Sequence, residues 1–326
     1  MVGRGAWRLP WLLLALAGAA ASLALAAPSV ATAATATWKL SHYTKVGYVR
    51  SFKLDLIQEL PAPPELLLIG GSRTTRFEPS LMRRLTGLSA MNCAVSNCEP
   101  EDVWAYVNHL YMRAPDVKLR CLWGVQVRGM SDVTFAQGLA YVTRLARWFP
   151  PELIDEQKAR IGDPVIKDLL ALNRFTARGM LAYGPYDRQR DGGLTLHDSL
   201  DRWIPIHVSK ETNAADLPTA RARSYFEATM ALFNEHGVAP CIVIMPLHPR
   251  ALDALSAVAK WKANFEEFKT YLQDLRATYD FHLLNYTSIS SFGGHAEWFY
   301  DGAHITVENA RLLLRKAVAQ APESFQ

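Results

Sequence analysis

Short apolar runs alternate with longer amphipathic stretches along most of this chain. Five apolar runs, each bounded by Gly, Pro or polar residues, are typical of buried strands; they lie near 65–70, 88–95, 118–127, 240–246 and 281–286. Helical periodicity begins at Pro100 and recurs at about 131–148, 164–182, 219–237, 256–278 and 306–320. Strands that alternate with helices predict an α/β fold with a parallel sheet covered on both faces.

The residues that follow the first apolar run are the first candidates for chemistry. In a parallel sheet, functional groups gather at the carboxyl ends of the strands, and Ser72 lies there within "LLLIGGSRTTR". This segment contains neither G-x-G-x-x-G nor the G-K-[ST] ending of a phosphate-binding loop. A nucleotide-binding site is therefore not predicted.

The N-terminus differs in composition from the rest of the chain. Arg4 and Arg8 precede an apolar run from Trp11 to about Ala27, and a stretch of small residues follows it. This pattern predicts either a cleaved signal peptide or a retained membrane anchor over residues 1–34. Residues 35–326 are predicted to be a single domain outside the cytoplasmic membrane, which is secreted, periplasmic or anchored and facing outward.

Composition limits the other classes of protein. The chain has 326 residues, of which 50% are hydrophobic and 20% charged, and its net charge of +4 is not concentrated in a long run of one sign. This predicts a globular protein and no nucleic-acid partner. Cys121 and Cys241 lie in apolar runs typical of buried thiols, whereas Cys93 and Cys98 are close enough in sequence to be brought together by a loop.

Residues 150–218 interrupt the alternation of strands and helices and are predicted to form an insertion. The segment contains aromatic and basic residues that suit either a sugar-binding surface or an ordinary solvated loop: Tyr183, Tyr186, Arg188, Arg190 and Trp203.

Ser72 needs a base, and usually a carboxylate that orients the base, to act as a nucleophile. Asp301 and His304 are three residues apart just before a predicted helix with Thr306 as its N-cap. A metal site would need histidines and carboxylates at ligand spacing, and the segment from His295 to His304 fits no such spacing. No metal is predicted.

An early strand-Gly-Ser segment combined with a late Asp-x-x-His resembles the SGNH (GDSL-like) hydrolase superfamily. The resemblance implies a three-layer α/β/α sandwich with a flavodoxin-like, five-stranded parallel sheet. It also implies that Ser72 is the nucleophile, His304 the general base and Asp301 its orienting acid. No cofactor is implied.

The oxyanion-binding segments of that family are only partly matched. The family's Asn-x-Gly turn corresponds to Asn92 and Ala94 in "NCAVSN", and its Gly-x-Asn corresponds to Gly124 and Gln126 in "WGVQV". The resemblance implies that the N–H groups of Ser72 and Ala94 and the Gln126 amide receive the oxyanion. A backbone donor survives at Ala94, whereas Gln126 is longer than the usual asparagine by one methylene.

Three further residues are candidates for substrate contact: Arg73, Asn92 and His248. Arg73 and Arg76 could recognise a polar or anionic polymer or could pair with Glu78 and Asp102, and His248 could line the site or only form a turn between prolines.

Within the superfamily, the motifs look most like the extracytoplasmic branch that includes alginate O-acetylation proteins and the D-alanine transfer protein of teichoic acid synthesis. This implies a serine esterase or acyltransferase that acts on acyl esters, above all O-acetyl esters, of envelope or extracellular polysaccharide. Its partners would be an acylated carbohydrate or another ester substrate and envelope-modification proteins. The alternative is a non-catalytic SGNH-like protein that binds polysaccharide, because Ala94 and Gln126 depart from the family pattern.

Overall fold

Five short strands form one parallel sheet in the computed structural model, which describes residues 37–39, 48–131, 139–161, 174–176, 178–180 and 195–326. The strands of the chain are Thr37–Lys39 (β1), Leu66–Gly70 (β2), Ala90–Asn92 (β3), Arg120–Val125 (β4), Arg174–Thr176 (β5), Cys241–Ile244 (β6) and His282–Asn285 (β7). The parallel sheet has the order β3-β2-β4-β6-β7, whereas β1 and β5 form a separate antiparallel pair. All five predicted strands are present, each shorter than its apolar run, most of all Ala90–Asn92 within 88–95.

Helices connect the strands and cover the sheet. They are Tyr48–Glu59 (α1), Pro79–Thr86 (α2), Pro100–Arg113 (α3), Thr143–Ala146 (α4), Pro151–Ile161 (α5), Leu196–Thr212 (α6), Ala220–Glu235 (α7), Pro249–Ser256 (α8), Ala259–Leu275 (α9) and Val307–Gln320 (α10). Acidic residues in the first turn of α3 complement the partial positive charge at that helix end. The predicted helices near 219–237, 256–278 and 306–320 correspond to α7, α9 and α10.

The two faces of the sheet bury alternate residues of each strand, because successive side chains of a strand point in opposite directions. On β4, Trp123 belongs to the apolar cluster shared with α1, α3, α7 and α9, and its ring lies 4.6 Å from that of Phe226. The neighbouring Leu122 belongs to the opposite cluster, shared with α2 and α10. Helices on both faces of a parallel sheet with this strand order confirm the three-layer, flavodoxin-like fold.

The order of strands reverses between β2 and β4, and this places the ends of those two strands at the position where ligands bind in open α/β sheets. Gly70 ends β2 with a φ of 143°, and a Cβ there would collide with the Gly124 carbonyl and the Thr74 hydroxyl. Glycine therefore lets the chain turn sharply at the end of β2, close to the backbone of β4. Ser72 lies immediately after this turn, and Gln126 follows β4.

Two predicted helices differ from the structure. Within 131–148, the described residues form a 3₁₀ turn over Leu139–Tyr141 and the short helix α4. Within 164–182, the described residues include β5, whose Phe175 pairs with Trp38 of β1. Periodicity alone therefore assigned the wrong structure to 174–176, where pairing with a distant strand decides the conformation.

The predicted insertion at 150–218 contains α5, β5 and α6 among its described residues. The described residues all belong to one compact unit, 37–326. The predicted signal peptide or anchor at 1–34 lies outside the described residues. Among the helices described, none combines the length and the apolar character needed to cross a bilayer.

Candidate active site

The structure brings Ser72, His304 and Asp301 into one hydrogen-bonded chain although 232 positions separate Ser72 from His304. Ser72 Oγ lies 2.8 Å from His304 Nε2, and His304 Nδ1 lies 2.7 Å from Asp301 Oδ2. A carboxylate can only accept, so the neutral imidazole donates its Nδ1 proton to Asp301 and leaves Nε2 as the acceptor for the Ser72 hydroxyl. The arrangement has the connectivity of a Ser-His-Asp triad.

The Asp301 carboxylate is held in its charged form. Burial alone would raise its pKa, but the hydrogen bond and charge of His304, together with the backbone N–H groups of Ala303 and His304, lower the pKa well below its ordinary value. Both N–H groups donate to Oδ1 at 2.8 Å, while Oδ2 remains for the imidazole. The three-residue spacing therefore forms a tight turn in which one carboxylate oxygen fixes the backbone and the other fixes the ring.

The turn that carries His304 is held by backbone contacts within itself and by one hydrogen bond to the segment that follows β6. The Tyr300 N–H donates to the His304 carbonyl at 2.8 Å, and Phe299 bridges Ile305. The His248 N–H donates to the Gly302 carbonyl at 3.0 Å, which ties the turn to the end of β6. α10 starts directly behind this turn, at Val307. The position of His304 thus depends on contacts with residues distant in sequence.

Ser72 and His304 open into a cavity of about 230 Å³, which we call the Ser72 cleft. Arg73 and Gln126 also line it, and so do Trp203, His207, Lys210 and Glu211 from α6. Five aromatic or imidazole rings, including Trp261 and Phe265 of α9, line the cleft beside these polar and charged side chains. The predicted insertion therefore contributes one wall of the candidate site, which the sequence indicated only through Trp203.

The predicted oxyanion donors are in different situations. The Ser72 N–H makes no hydrogen bond with another described residue. The Gln126 amide lies beside Gly71, where its Nε2 is 3.3 Å from the place of a Cβ, so a larger residue than glycine would crowd it. The Ala94 N–H, by contrast, already donates to Asn92 Oδ1 at 3.0 Å. The Ala94 N–H is therefore already used within its own turn, which differs from the oxyanion-binding role predicted for it.

Asn97 is a wall residue of the cleft that the sequence did not single out. It has a φ of 51°, an uncommon conformation that asparagine tolerates better than most residues. The buried Arg50 donates to the Ser96 and Asn97 carbonyls at 3.3 Å and forms a bidentate ion pair with Asp102 at 2.6 and 2.9 Å. A buried ion pair thus fixes the backbone turn beside Ser72.

Asn92 and His248 do not line the Ser72 cleft, contrary to the prediction. Asn92 is fully buried, and its amide donates to the Thr74 and Phe77 carbonyls at 3.0 and 2.9 Å. It therefore ties the segment after Ser72 to β3. His248 is buried at the start of α8, where its Nδ1 accepts from the Arg250 N–H at 3.2 Å. Both side chains are occupied by the protein itself.

Arg73 lies in the cleft, whereas the carboxylates proposed as its alternative partners are bound elsewhere. Glu78 pairs with Arg311 at 2.5 and 2.9 Å, and Asp102 pairs with Arg50. Arg73 itself forms no ion pair with a described residue. Burial lowers the pKa of its guanidinium to about 10, an effect that the charges of Asp301 and Glu211 oppose. Arg73 therefore remains a candidate for substrate contact.

Trp203 and His207 form a stacked pair on α6, with ring centroids 3.6 Å apart. His207 Nδ1 donates to the Trp203 carbonyl at 3.0 Å, so Nε2 carries the lone pair. Burial, which outweighs the effect of that hydrogen bond, lowers the pKa of His207 to about 4. The imidazole is therefore neutral near pH 7. The Trp203 ring lies against Gly302, where a Cβ would collide with it.

All four cysteines are buried free thiols, as predicted for Cys121 and Cys241. Within the described ranges, no group of three or more histidine, cysteine or carboxylate residues could hold a metal ion. No model of a known protein family matches the chain, and no curated protein matches it either. The resemblance to SGNH hydrolases therefore remains a prediction that rests on the motifs and is consistent with the fold.

Proposed function

We propose that this protein is an SGNH-type serine esterase or O-acyltransferase that acts on acyl esters, above all O-acetyl esters, of envelope or extracellular polysaccharide. The observation that carries the proposal is the chain of contacts from Ser72 Oγ through His304 to Asp301, at 2.8 and 2.7 Å. Its location at the carboxyl ends of β2 and β4, inside a cleft, supports a catalytic role over a structural one.

In the proposed reaction, Ser72 Oγ attacks the ester carbonyl while its proton passes to His304 Nε2. Asp301 stabilises the imidazolium that forms. The tetrahedral intermediate collapses as the carbonyl–oxygen bond to the alcohol breaks and Nε2 returns the proton to the leaving oxygen. An acyl-serine and a free alcohol result.

The acyl-serine is then attacked by water or by a sugar hydroxyl, which His304 deprotonates, and Ser72 is released with its proton restored. Water gives hydrolysis and a sugar hydroxyl gives transfer. The negative oxygen that forms in both steps would be stabilised by the Ser72 N–H and the Gln126 amide, which border the cleft. The rings of Trp261 and Phe265, which line the cleft together with polar side chains, support a carbohydrate as the alcohol, because a sugar ring has both apolar and hydroxyl-bearing surfaces.

The proposal is tested by labelling Ser72 with a fluorophosphonate probe and by measuring release of acetate from acetylated oligosaccharide. The full-length protein should be labelled and active, whereas Ser72→Ala and His304→Ala should lose activity by several orders of magnitude. Ser80→Ala, which changes an exposed serine on α2, is the matched control and should keep both properties. A wild-type protein that is neither labelled nor active would rule out the enzyme.

One observation favours the alternative of a non-catalytic, polysaccharide-binding protein. The Ala94 N–H is occupied by Asn92, so fewer donors are available for an oxyanion than in the predicted set. This alternative predicts that the wild-type protein binds oligosaccharide without reacting with the fluorophosphonate. The labelling experiment therefore separates the two functions.

A further inference from the structure

A second cavity shares a wall with the Ser72 cleft. This side cavity has a volume of about 200 Å³, and Asn97, Gln126, Arg128, Lys210 and Glu211 line both spaces. Beyond that shared wall it is bounded by Ser131, by Asn213 at the end of α6, and by Ala214. Since one water occupies about 30 Å³ of liquid, the volume corresponds to about seven waters, which is the scale of one sugar ring rather than of a single ion.

Two residues at the side cavity, Glu211 and Ser131, are more than nine-tenths buried, and one buried polar atom there, Glu211 Oε2, has no hydrogen-bond partner among the described residues. Glu211 is 5% exposed, and while its Oε1 pairs with Arg128 Nη1 at 3.0 Å, its Oε2 is unpaired. Ser131 is 6% exposed and adds a hydroxyl group to the lining of the cavity. Buried polar groups are normally paired, so unpaired ones at a cavity indicate a missing ligand or water.

The charges around the side cavity favour a neutral ligand. Arg128 and Lys210 are opposed by Glu99 and Glu211, so the charges of the four residues sum to zero. A carboxylate oxygen accepts a hydrogen bond from a hydroxyl group, and a serine hydroxyl can both donate and accept. Asn213 Nδ2 donates to the Ser209 carbonyl at 3.1 Å, which leaves its amide oxygen as a further acceptor. Hydroxyl groups on a neutral ring match this set.

The wall between the two spaces can adjust to a ligand. The Arg128 side chain that pairs with Glu211 is 45% exposed, so it can move without repacking the core. That movement would make the Glu211 carboxylate accessible from both the Ser72 cleft and the side cavity. The Ser72 cleft and the side cavity would then form one continuous groove that passes Gln126.

We propose that the side cavity is a second subsite that binds a neutral sugar ring next to the ring whose ester lies at Ser72, with Glu211 and Ser131 contacting its hydroxyl groups. The position of the ester rests on the proposed function, whereas binding at the side cavity can be measured without any reaction. The substrate is accordingly a neutral oligosaccharide or polysaccharide of at least two rings rather than a single acylated sugar.

The test is isothermal titration calorimetry of the full-length protein with tetrasaccharides that carry no O-acyl ester and therefore offer Ser72 no ester to attack. The neutral probes are cellotetraose, mannotetraose and chitotetraose, and the acidic probe is tetragalacturonate. We expect a neutral probe to bind. Glu211→Gln and Ser131→Ala should each raise its Kd by about tenfold, which is the effect of losing a hydrogen bond to a buried polar group.

A filling variant tests the same cavity without removing a buried polar group. Ala214 is half-buried at the edge of the side cavity. Ala214→Trp should raise the Kd by at least about tenfold, because the indole would occupy the space proposed for the sugar ring. Ala277→Trp, at an exposed position after α9, is the matched control and should leave the Kd unchanged.

Each outcome bears on the inference separately from the proposed function. Absence of binding by all three neutral probes, binding that Ala214→Trp does not change, or binding of tetragalacturonate alone would overturn the neutral subsite. If a neutral probe binds as expected but Ser72 does not react with fluorophosphonate, the subsite stands and the esterase does not. Labelling of Ser72 without oligosaccharide binding would give the reverse conclusion.

Discussion

Lys53 is buried completely, and its ionisation should make the stability of this protein depend on pH. Its ammonium lies at the Asn92 carbonyl at 2.9 Å and also contacts the Gly179 carbonyl. Burial lowers the pKa of Lys53 from 10.5 to about 7, which the nearby Cys93 only partly opposes. The neutral amine keeps two N–H groups, so it can still donate to both carbonyls.

The direction of this pH dependence follows from the number of protons that each state binds. Between pH 7 and 10.5 the unfolded chain keeps the Lys53 proton while the folded protein releases it, so the free energy of unfolding rises with pH across this window. With these two pKa values, the Lys53 contribution to the free energy of unfolding increases by about 2 kcal/mol between pH 7 and pH 9. The gain stops below pH 7, where both states bind the proton.

The buried cysteines act in the opposite direction at the upper end of this range. Burial raises the pKa of Cys93 to about 12, so the folded protein keeps a thiol proton that the unfolded chain loses near pH 9. The effect of Lys53 must therefore be measured as the difference between the wild type and Lys53→Met, in which the cysteine contributions cancel.

The assay is urea unfolding under reducing conditions at half-unit steps from pH 7 to pH 9. The free energy of unfolding of the wild type should rise relative to that of Lys53→Met by about 2 kcal/mol over the range. Lys262→Met, at an exposed position on α9, is the control and should run parallel to the wild type. A constant difference between the wild type and Lys53→Met would refute the argument that Lys53 is neutralised in the folded protein.

Three predictions concern the candidate site. Asp301→Asn should lower ester turnover by at least about a hundredfold, because the His304 ring loses the carboxylate that fixes its Nδ1 proton, and steady-state acetate release measures this. The same substitution should remove an acid-side loss of stability: the pKa of Asp301 is lowered on folding, so its stabilisation is present above the unfolded pKa and disappears as pH falls through the folded value. Between pH 2 and pH 5, the free energy of unfolding should change less with pH in the variant than in the wild type. An equal change in both proteins would contradict the lowered pKa of Asp301. Gln126→Ala should reduce turnover by about a hundredfold to a thousandfold if its amide receives the oxyanion. A loss of less than about threefold in kcat would show that another group supplies this donor.

The strands were the most predictable part of the fold. Residues 66–70 and 121–125 are buried on both faces of the sheet, so they are apolar throughout and are bounded by glycine or polar residues. The helix predicted at 164–182 failed at Phe175 for the complementary reason. A three-residue strand pairs with β1 far away along the chain, and a local pattern cannot report such pairing.

The candidate site divides in the same way. Ser72, Asp301 and His304 were predictable because each lies in a local motif: a strand end for the serine and a tight turn for the other two. The roles expected for Asn92 and His248 failed, since their polar atoms are used by carbonyl and N–H groups of distant segments. The side cavity gave no signal in the sequence, because its walls come from the 97–99, 126–131 and 210–217 segments.

The sequence by itself determined the alternation of strands and helices and the residues able to carry acyl-transfer chemistry. These depend on local periodicity and on the chemical nature of single side chains. Only the tertiary structure decided which of those residues meet and that α6 closes one wall of the Ser72 cleft. The physical reason is that hydrogen bonds and cavities form between segments hundreds of positions apart, and their partners are chosen by the packing of the whole domain.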